Sequence, residues 1–223
     1  MKKTLFLLIL IGFFAGIHSL SAQEESDTVR VLLPGDIVFS GFGAPFVEFS
    51  SLNSQFAVFA GAGGALMINR TVFIGAYFQG LTTIHYMEEL ATVVNIEKPR
   101  VSFEHGGIWM GYVIMPKKAI HGGISLKLGW GEIDLEGDEL DDGVDADYDF
   151  TDRIFNIQPQ VEVEFNMTKW FRINAGVGYR FVTGIDATYL DDQGNRTYFY
   201  SNNDFDSFIG TVTLIFGGGK KQD

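Results

Sequence analysis

The sequence predicts an all-β fold, a closed eight-stranded antiparallel up-and-down transmembrane β-barrel, on three observations. The first is strict period-two alternation through residues 153–184, the mark of extended strands with two chemically distinct faces. Phe155, Ile157, Pro159, Val161, Val163 and Phe165 alternate with Asn156, Gln158, Gln160, Glu162, Glu164 and Asn166 in one arm. Phe171, Ile173, Ala175, Val177, Tyr179 and Phe181 alternate with Arg172, Asn174, Gly176, Gly178 and Arg180 in the other. The second is the charge on the polar face, too high for an ordinary sandwich core, which turns the apolar face outward to lipid and the polar face inward to a lumen. The third is that short turns and longer polar connections take turns along the chain.

Taken in order, Met1-Lys2-Lys3, an apolar run from Thr4 to Ile17 and small residues ending at Ala22 describe a cleaved signal peptide over residues 1–22. The apolar run is shorter than the roughly 20 residues of a spanning helix. Residues 23–35 read as a polar periplasmic tail, 36–217 as the barrel and 218–223 as a C-terminal tail. The first strand, 36–50, puts Ile37, Phe39, Val47 and Phe49 on one face; Pro45 lacks a ladder donor, so a bulge is expected there and again at Pro159. Strands follow over 55–68 and 71–81, with Asn69-Arg70 as a turn and Gly61, Gly63, Tyr77 and Gln79 inward. The fourth strand, 101–115, and the fifth, 119–133, are joined by Pro116-Lys117-Lys118; His121, Ser125 and Lys127 point inward. The hairpin of 153–184 and a last strand at 204–216 complete eight. Trp109, Tyr112, Trp130, Trp170, Tyr179, Tyr189 and Tyr198 are expected in aromatic girdles near strand ends.

Parity constrains the register of the opening hairpin, because paired residues share a face and the connecting loop must hold an odd number of residues. Centring it on Thr168 sets Glu164 opposite Arg172, Phe165 opposite Phe171 and Glu162 opposite Asn174. Glu162 then needs a cation from another strand, with Lys127 and Arg180 as candidates, since an unpaired buried charge is costly. Lumen ion pairs are thus expected among Glu162, Glu164, Arg172, Arg180 and Lys127.

Composition narrows function. The chain has 16 Lys and Arg against 28 Asp and Glu, a net charge of −12, and loses two lysines but no acid with the leader. That balance argues against binding nucleic acid or anionic lipid through a basic patch. With no cysteine, disulfides and cysteine metal sites are excluded. The acidic stretch of 134–152 gives Asp145, Asp147 and Asp149 the one-three-five spacing of a calcium loop, but Phe150 stands where an EF-hand needs Gly and Asn156 stands at position twelve. A weak divalent-cation loop is one reading; a solvated acidic loop is the other. His85, His105 and His121 form no relay: His105 faces inward while Ser102 and Glu104 face outward. No catalytic residue and no cofactor is expected.

The leader, the eight alternating strands over 36–216 and the loop asymmetry resemble the small outer-membrane barrels of the OmpA-transmembrane and OmpX type. GFGAPFVEFSSLNSQFAVFAGAGGALMINRTVFIG also resembles secreted barrel proteins of unassigned function. The chain departs from the pattern where it runs past Phe216 as GGGKKQD, and the family's peptidoglycan-binding domain is not expected. The resemblance implies a monomer in the bacterial outer membrane, in contact with lipid and lipopolysaccharide. The expected function is a non-enzymatic structural or surface-interaction protein with a polar, largely plugged lumen. Acidic loops 82–100, 134–152 and 185–203 would meet an unknown extracellular partner. A narrow passive pore for ions or small solutes is the first alternative, a soluble lipocalin-like ligand-binding barrel the second.

Overall fold

Eight long alternating segments pair edge to edge, and in the computed structural model the sheet they make closes on itself. Residues 37–86, 96–139, 151–186, 188–190, 196–198 and 200–217 are described. The expected leader and tails and the residues Asp145, Asp147 and Asp149 lie outside them. The strands are β1 (Phe39–Leu52), β2 (Gln55–Ile68), β3 (Val72–Leu81), β4 (Ile96–Ile114), β5 (Ile120–Glu139), β6 (Asp152–Asn166) and β7 (Phe171–Thr183). Two short strands, β8 (Thr188–Leu190) and β9 (Arg196–Tyr198), and a single helical turn α1 (Asn202–Phe205) precede β10 (Ser207–Gly217). The barrel closes in the order β1-β10-β7-β6-β5-β4-β3-β2, with β8 and β9 forming a separate hairpin. Every barrel neighbour is antiparallel, so the molecule is the expected closed up-and-down barrel.

Local chemistry explains the tight ends. Asn53-Ser54 and Asn69-Arg70 occupy left-handed backbone, with φ of 45° and 64° and of 50° and 57°. Between Leu52 and Gln55 the two positive φ values make a two-residue turn whose twist matches antiparallel strands; between Ile68 and Val72 the connection has three residues and is closed by the Thr71 N–H donating to the Ile68 carbonyl at 2.9 Å. Between β6 and β7 the Thr168 hydroxyl accepts from the backbone N–H of Trp170 at 3.3 Å and of Phe171 at 3.0 Å. These bonds centre the connection on Lys169. The pairing is therefore two residues from the expected one: Glu164 stands opposite Asn174, Asn166 opposite Arg172 and Phe165 opposite Ile173. A shift of two preserves parity, so every side chain keeps its expected face.

Three further expectations are corrected. Neither proline makes a bulge: Pro45 pairs with Ala62 and Pro159 with Leu126 in unbroken register. Each proline leaves a gap in the ladder on its other side, at constant register. The register shift lies instead in β4, between Glu97 and Arg100. Trp109 belongs to no girdle; it is buried inside the barrel. The connections expected over 82–100 and 134–152 are partly strand, because β4 and β5 run on past their other neighbours as a two-stranded ribbon.

The interior is less uniformly polar than the alternation implied. Phe42, Met67, Phe73, Trp109, Val113 and Ile215 gather toward the short-turn end, and Leu52, Phe59, Phe103, Ile133, Val182 and Phe205 among others toward the long-loop end. Polar and charged side chains fill the level between, and Glu162, Glu164 and Arg172 share the short-turn end with the first cluster.

Candidate functional site

The barrel interior gathers the chain's buried charge, and each strand contributes by parity. At the short-turn end, β5, β6 and β7 bring His121, Glu164 and Arg172 together. Arg172 Nη1 donates to Glu164 Oε1 at 2.8 Å, and His121 Nε2 meets the same oxygen at 2.9 Å. His121 Nδ1 lies 3.0 Å from the carbonyl of Lys118. A carbonyl and a carboxylate only accept, so this geometry calls for a proton on both ring nitrogens or one on Glu164. One residue pair further in, Ser125 Oγ donates to Glu162 Oε1 and Asn174 Nδ2 to Glu162 Oε2 at 2.9 Å.

At mid-barrel the Lys127 ammonium donates to Gln79 Oε1 at 3.2 Å and lies 3.6 Å from the centre of the Phe46 ring, with Tyr77 and Trp109 beside it. A cation over aromatic faces recovers part of its lost hydration through the ring quadrupole. Toward the loop end Arg180 Nη1 donates to Glu48 Oε1 at 3.0 Å, Nε to the Phe205 carbonyl at 3.0 Å and Nη2 to the Ser51 carbonyl at 3.2 Å. Its guanidinium lies over Phe59 and Phe103. Both Arg180 and Glu48 are 0% exposed. The polar cluster of Tyr77, His105 and Asn156 sits beside them, with Tyr77 OH 3.1 Å and Asn156 Nδ2 2.7 Å from His105 Nδ1.

The sequence-predicted residues are thus only partly brought together. Glu164 and Arg172 are in contact, but as diagonal neighbours. Glu162 makes no ion pair with Lys127 or Arg180 among the described residues; its partners are Ser125 and Asn174. The carboxylate that Arg180 finds is Glu48, which the sequence reading missed although it is the sole acid at an inward position of β1. Among the buried charges, Glu48, Asp152, Glu162 and Glu164 stand against Lys127, Arg172 and Arg180, with His121 a further partner of Glu164.

Above the lumen, His85 closes the loop end: its Nδ1 meets Gln55 Oε1 at 3.2 Å and its Nε2 meets Thr83 Oγ1 at 3.0 Å. The Gln55 oxygen can only accept, which sets the Nδ1–H tautomer of a neutral ring. Burial pushes the His85 pKa below its usual value, and burial with the nearby Asp204 carboxylate pushes the Tyr200 phenol up. Among the described residues no group of three His, Asp or Glu could hold a metal ion.

No protein-family model and no curated protein matches the chain. Among solved structures it is similar to Neisserial surface protein A, at 10% identity over 82% of this chain and 98% of that chain, with a TM-score of 0.47. It is similar also to Ail, the attachment invasion locus protein of Yersinia pestis, at 14% identity over 80% and 96%, TM-score 0.44. A third is a major outer membrane protein from Thermus thermophilus, at 6% identity over 79% and 99%, TM-score 0.42. These are likenesses of barrel architecture at identities too low to carry a function.

Proposed function

We propose that the chain is a non-enzymatic integral protein of the bacterial outer membrane, built on the plan of the OmpA-transmembrane and OmpX barrels. Its lumen is plugged by its own side chains, and its role is structural or one of surface interaction. The observation that carries this reading is the inversion of polarity across the wall. Phe208, Val177 and Leu66 point outward at 73%, 67% and 65% exposure, while Glu48, Gln79 and Arg180 point inward at 0%. Exposed apolar surface of this extent is costly in water and costless against acyl chains. A lipocalin-like barrel would need the opposite distribution.

The plug is supported by the buried ion pairs Glu164–Arg172 and Glu48–Arg180 and by the aromatic clusters of the interior. The cavity bounded by Phe42, Trp109, Glu164 and Arg172 holds about 10 Å³, room for about one water molecule. The narrow-pore reading draws on polar atoms without protein partners among the described residues, Gln79 Nε2, Gln158 Oε1, Gln160 Nε2 and Asn174 Oδ1. An ion following them would still have to part the Phe59, Phe103 and Phe205 cluster. The acidic loops are the part that meets partners outside the cell. Asp145, Asp147 and Asp149 would supply a weak divalent-cation bridge to lipopolysaccharide.

The deciding experiment is gel mobility of protein from outer membranes, boiled and unboiled, followed by planar-bilayer recording. A heat-dependent shift with detergent-dependent solubility and no steady conductance is expected. Solubility without detergent would overturn the membrane reading; steady conductance would favour the pore.

A further inference from the structure

We infer that the short-turn rim of the barrel is a binding surface for the anionic headgroups of phospholipids in the periplasmic leaflet. The inference rests on the membrane reading above, and it departs from the expectation drawn from net charge because the cations it uses are segregated to one rim. The three short connections carry Arg70, Lys117, Lys118 and Lys169, and no acid. Exposed carboxylates such as Glu104, Glu132 and Glu136 lie toward the other end. Among the described residues the two acids nearest the rim, Glu162 and Glu164, point into the lumen and are already bonded to Ser125, Asn174, His121 and Arg172. Among the described residues none of the four rim cations has a carboxylate within ion-pair distance.

The cations also sit on fixed backbone. Arg70 Nη2 donates to the Lys169 carbonyl at 3.3 Å, linking the β2–β3 turn to the β6–β7 turn across the mouth. Asn166 Nδ2 donates to the carbonyls of Pro116 at 3.1 Å and Lys118 at 2.7 Å, tying the β4–β5 turn to the end of β6. These bonds use the turn carbonyls and leave the lysine ammonium groups outward. Directly beside Lys169, Trp170 stacks on Phe216, ring centres 6.2 Å apart, and Phe171 on Phe216 at 5.1 Å. An apolar wall ending in aromatic side chains, with exposed cations just beyond it, matches acyl chain, interface and phosphate in sequence along the barrel axis. Each Lys or Arg close to an anionic headgroup layer raises binding by about fivefold at low salt.

The test uses the full chain, reconstituted in phosphatidylcholine vesicles containing phosphatidylglycerol, with retained lipids counted by native mass spectrometry after mild extraction. Phosphatidylglycerol should be held about five- to tenfold over phosphatidylcholine at low salt, falling toward parity at about 0.5 M salt as the charges are screened. The combined variant Arg70→Gln, Lys117→Gln, Lys118→Gln, Lys169→Gln should lose the preference and keep its heat-dependent mobility; Lys169→Arg should keep both. Equal retention of the two lipids by inserted protein, or an unchanged preference in the combined variant, overturns the inference. So does retention of soluble polyphosphate as tight as that of lipid, which would assign the rim to a soluble polyanion. A preference that emerges only once residues 23–35 are deleted would overturn it in favour of the chain's own acidic segment. A chain that never inserts sinks the membrane reading itself, a result distinct from inserted protein without preference.

Discussion

Arg180 and Glu48 show what a single buried pair asks of its surroundings. Both are fully removed from solvent, and the guanidinium spends its donors on a carboxylate and two backbone carbonyls. Removing one member leaves the other charge uncompensated, a loss of about 3–5 kcal/mol, whereas removing both charges together is far milder. Arg180→Met should therefore lower the denaturant midpoint sharply, and Arg180→Met combined with Glu48→Gln should recover much of it, as read by loss of the heat-modifiable band in urea. A double variant no more stable than the single would refute the pairing. This pair was illegible in the sequence because β10 lies between β1 and β7, so no hairpin register relates position 48 to position 180. Glu164 with Arg172 was legible because β6 and β7 are neighbours and parity alone puts both side chains inward. The partners of Glu162 lay between these cases: Asn174 was visible as an inward neighbour, but Ser125 in place of a cation was not, since hydrogen bonds satisfied the carboxylate where an ion pair was expected.

The elements were legible where period two ran unbroken and less so where side chains fold back on the backbone. Thr168 is the clearest instance: its hydroxyl takes two loop amides and moves the hairpin centre by one residue, which no count of apolar positions reveals. The polar stretches 82–100, 134–152 and 185–203 looked like loops because their turn residues are dense. They nevertheless contain the extended ends of β4 and β5, the β8–β9 hairpin and α1, whose Phe205 is buried beneath the loop end. His85 belongs to that closure, held neutral by burial between Gln55 and Thr83. Its folded pKa lies below the ordinary value near 6.5, so in the window beneath about 6.5 the unfolded chain binds a proton that the folded chain refuses. The His85 contribution is thus complete above that pH and is lost as pH falls through the window. Between pH 7.5 and 5.0 the unfolding midpoint of the natural chain should drop further than that of His85→Gln. Equal drops in the two proteins would show that His85 does not set the slope.

At the scale of the whole molecule, parity, strand number and the side of each face were legible, because all three follow from alternation. What alternation could not show is that the lumen is stratified. The interior holds Phe42, Phe73 and Trp109 at one level and Phe59, Phe103 and Phe205 at another; Phe205 comes from α1 and the rest from different strands, whose levels depend on the stagger of the closed sheet. The stratification decides how the barrel should behave toward ions. Buried charges of both signs interleave along the lumen, so they set no strong barrier of one sign; the apolar levels exclude water and so act as the barrier. The loop-end level is the simpler one to open, since Phe103 packs edge-on against both Phe59 and Phe205, ring centres 5.2 and 5.5 Å apart. Phe103→Ser with Phe205→Ser should hydrate that level and give conductance events in planar bilayers that the natural chain lacks, while the heat-dependent mobility persists. The short-turn cluster would remain, so openings should be brief, and adding Phe73→Ser should lengthen them. Silence in the triple variant, with the barrel folded, would mean that the charged level and not the aromatic clusters blocks the path.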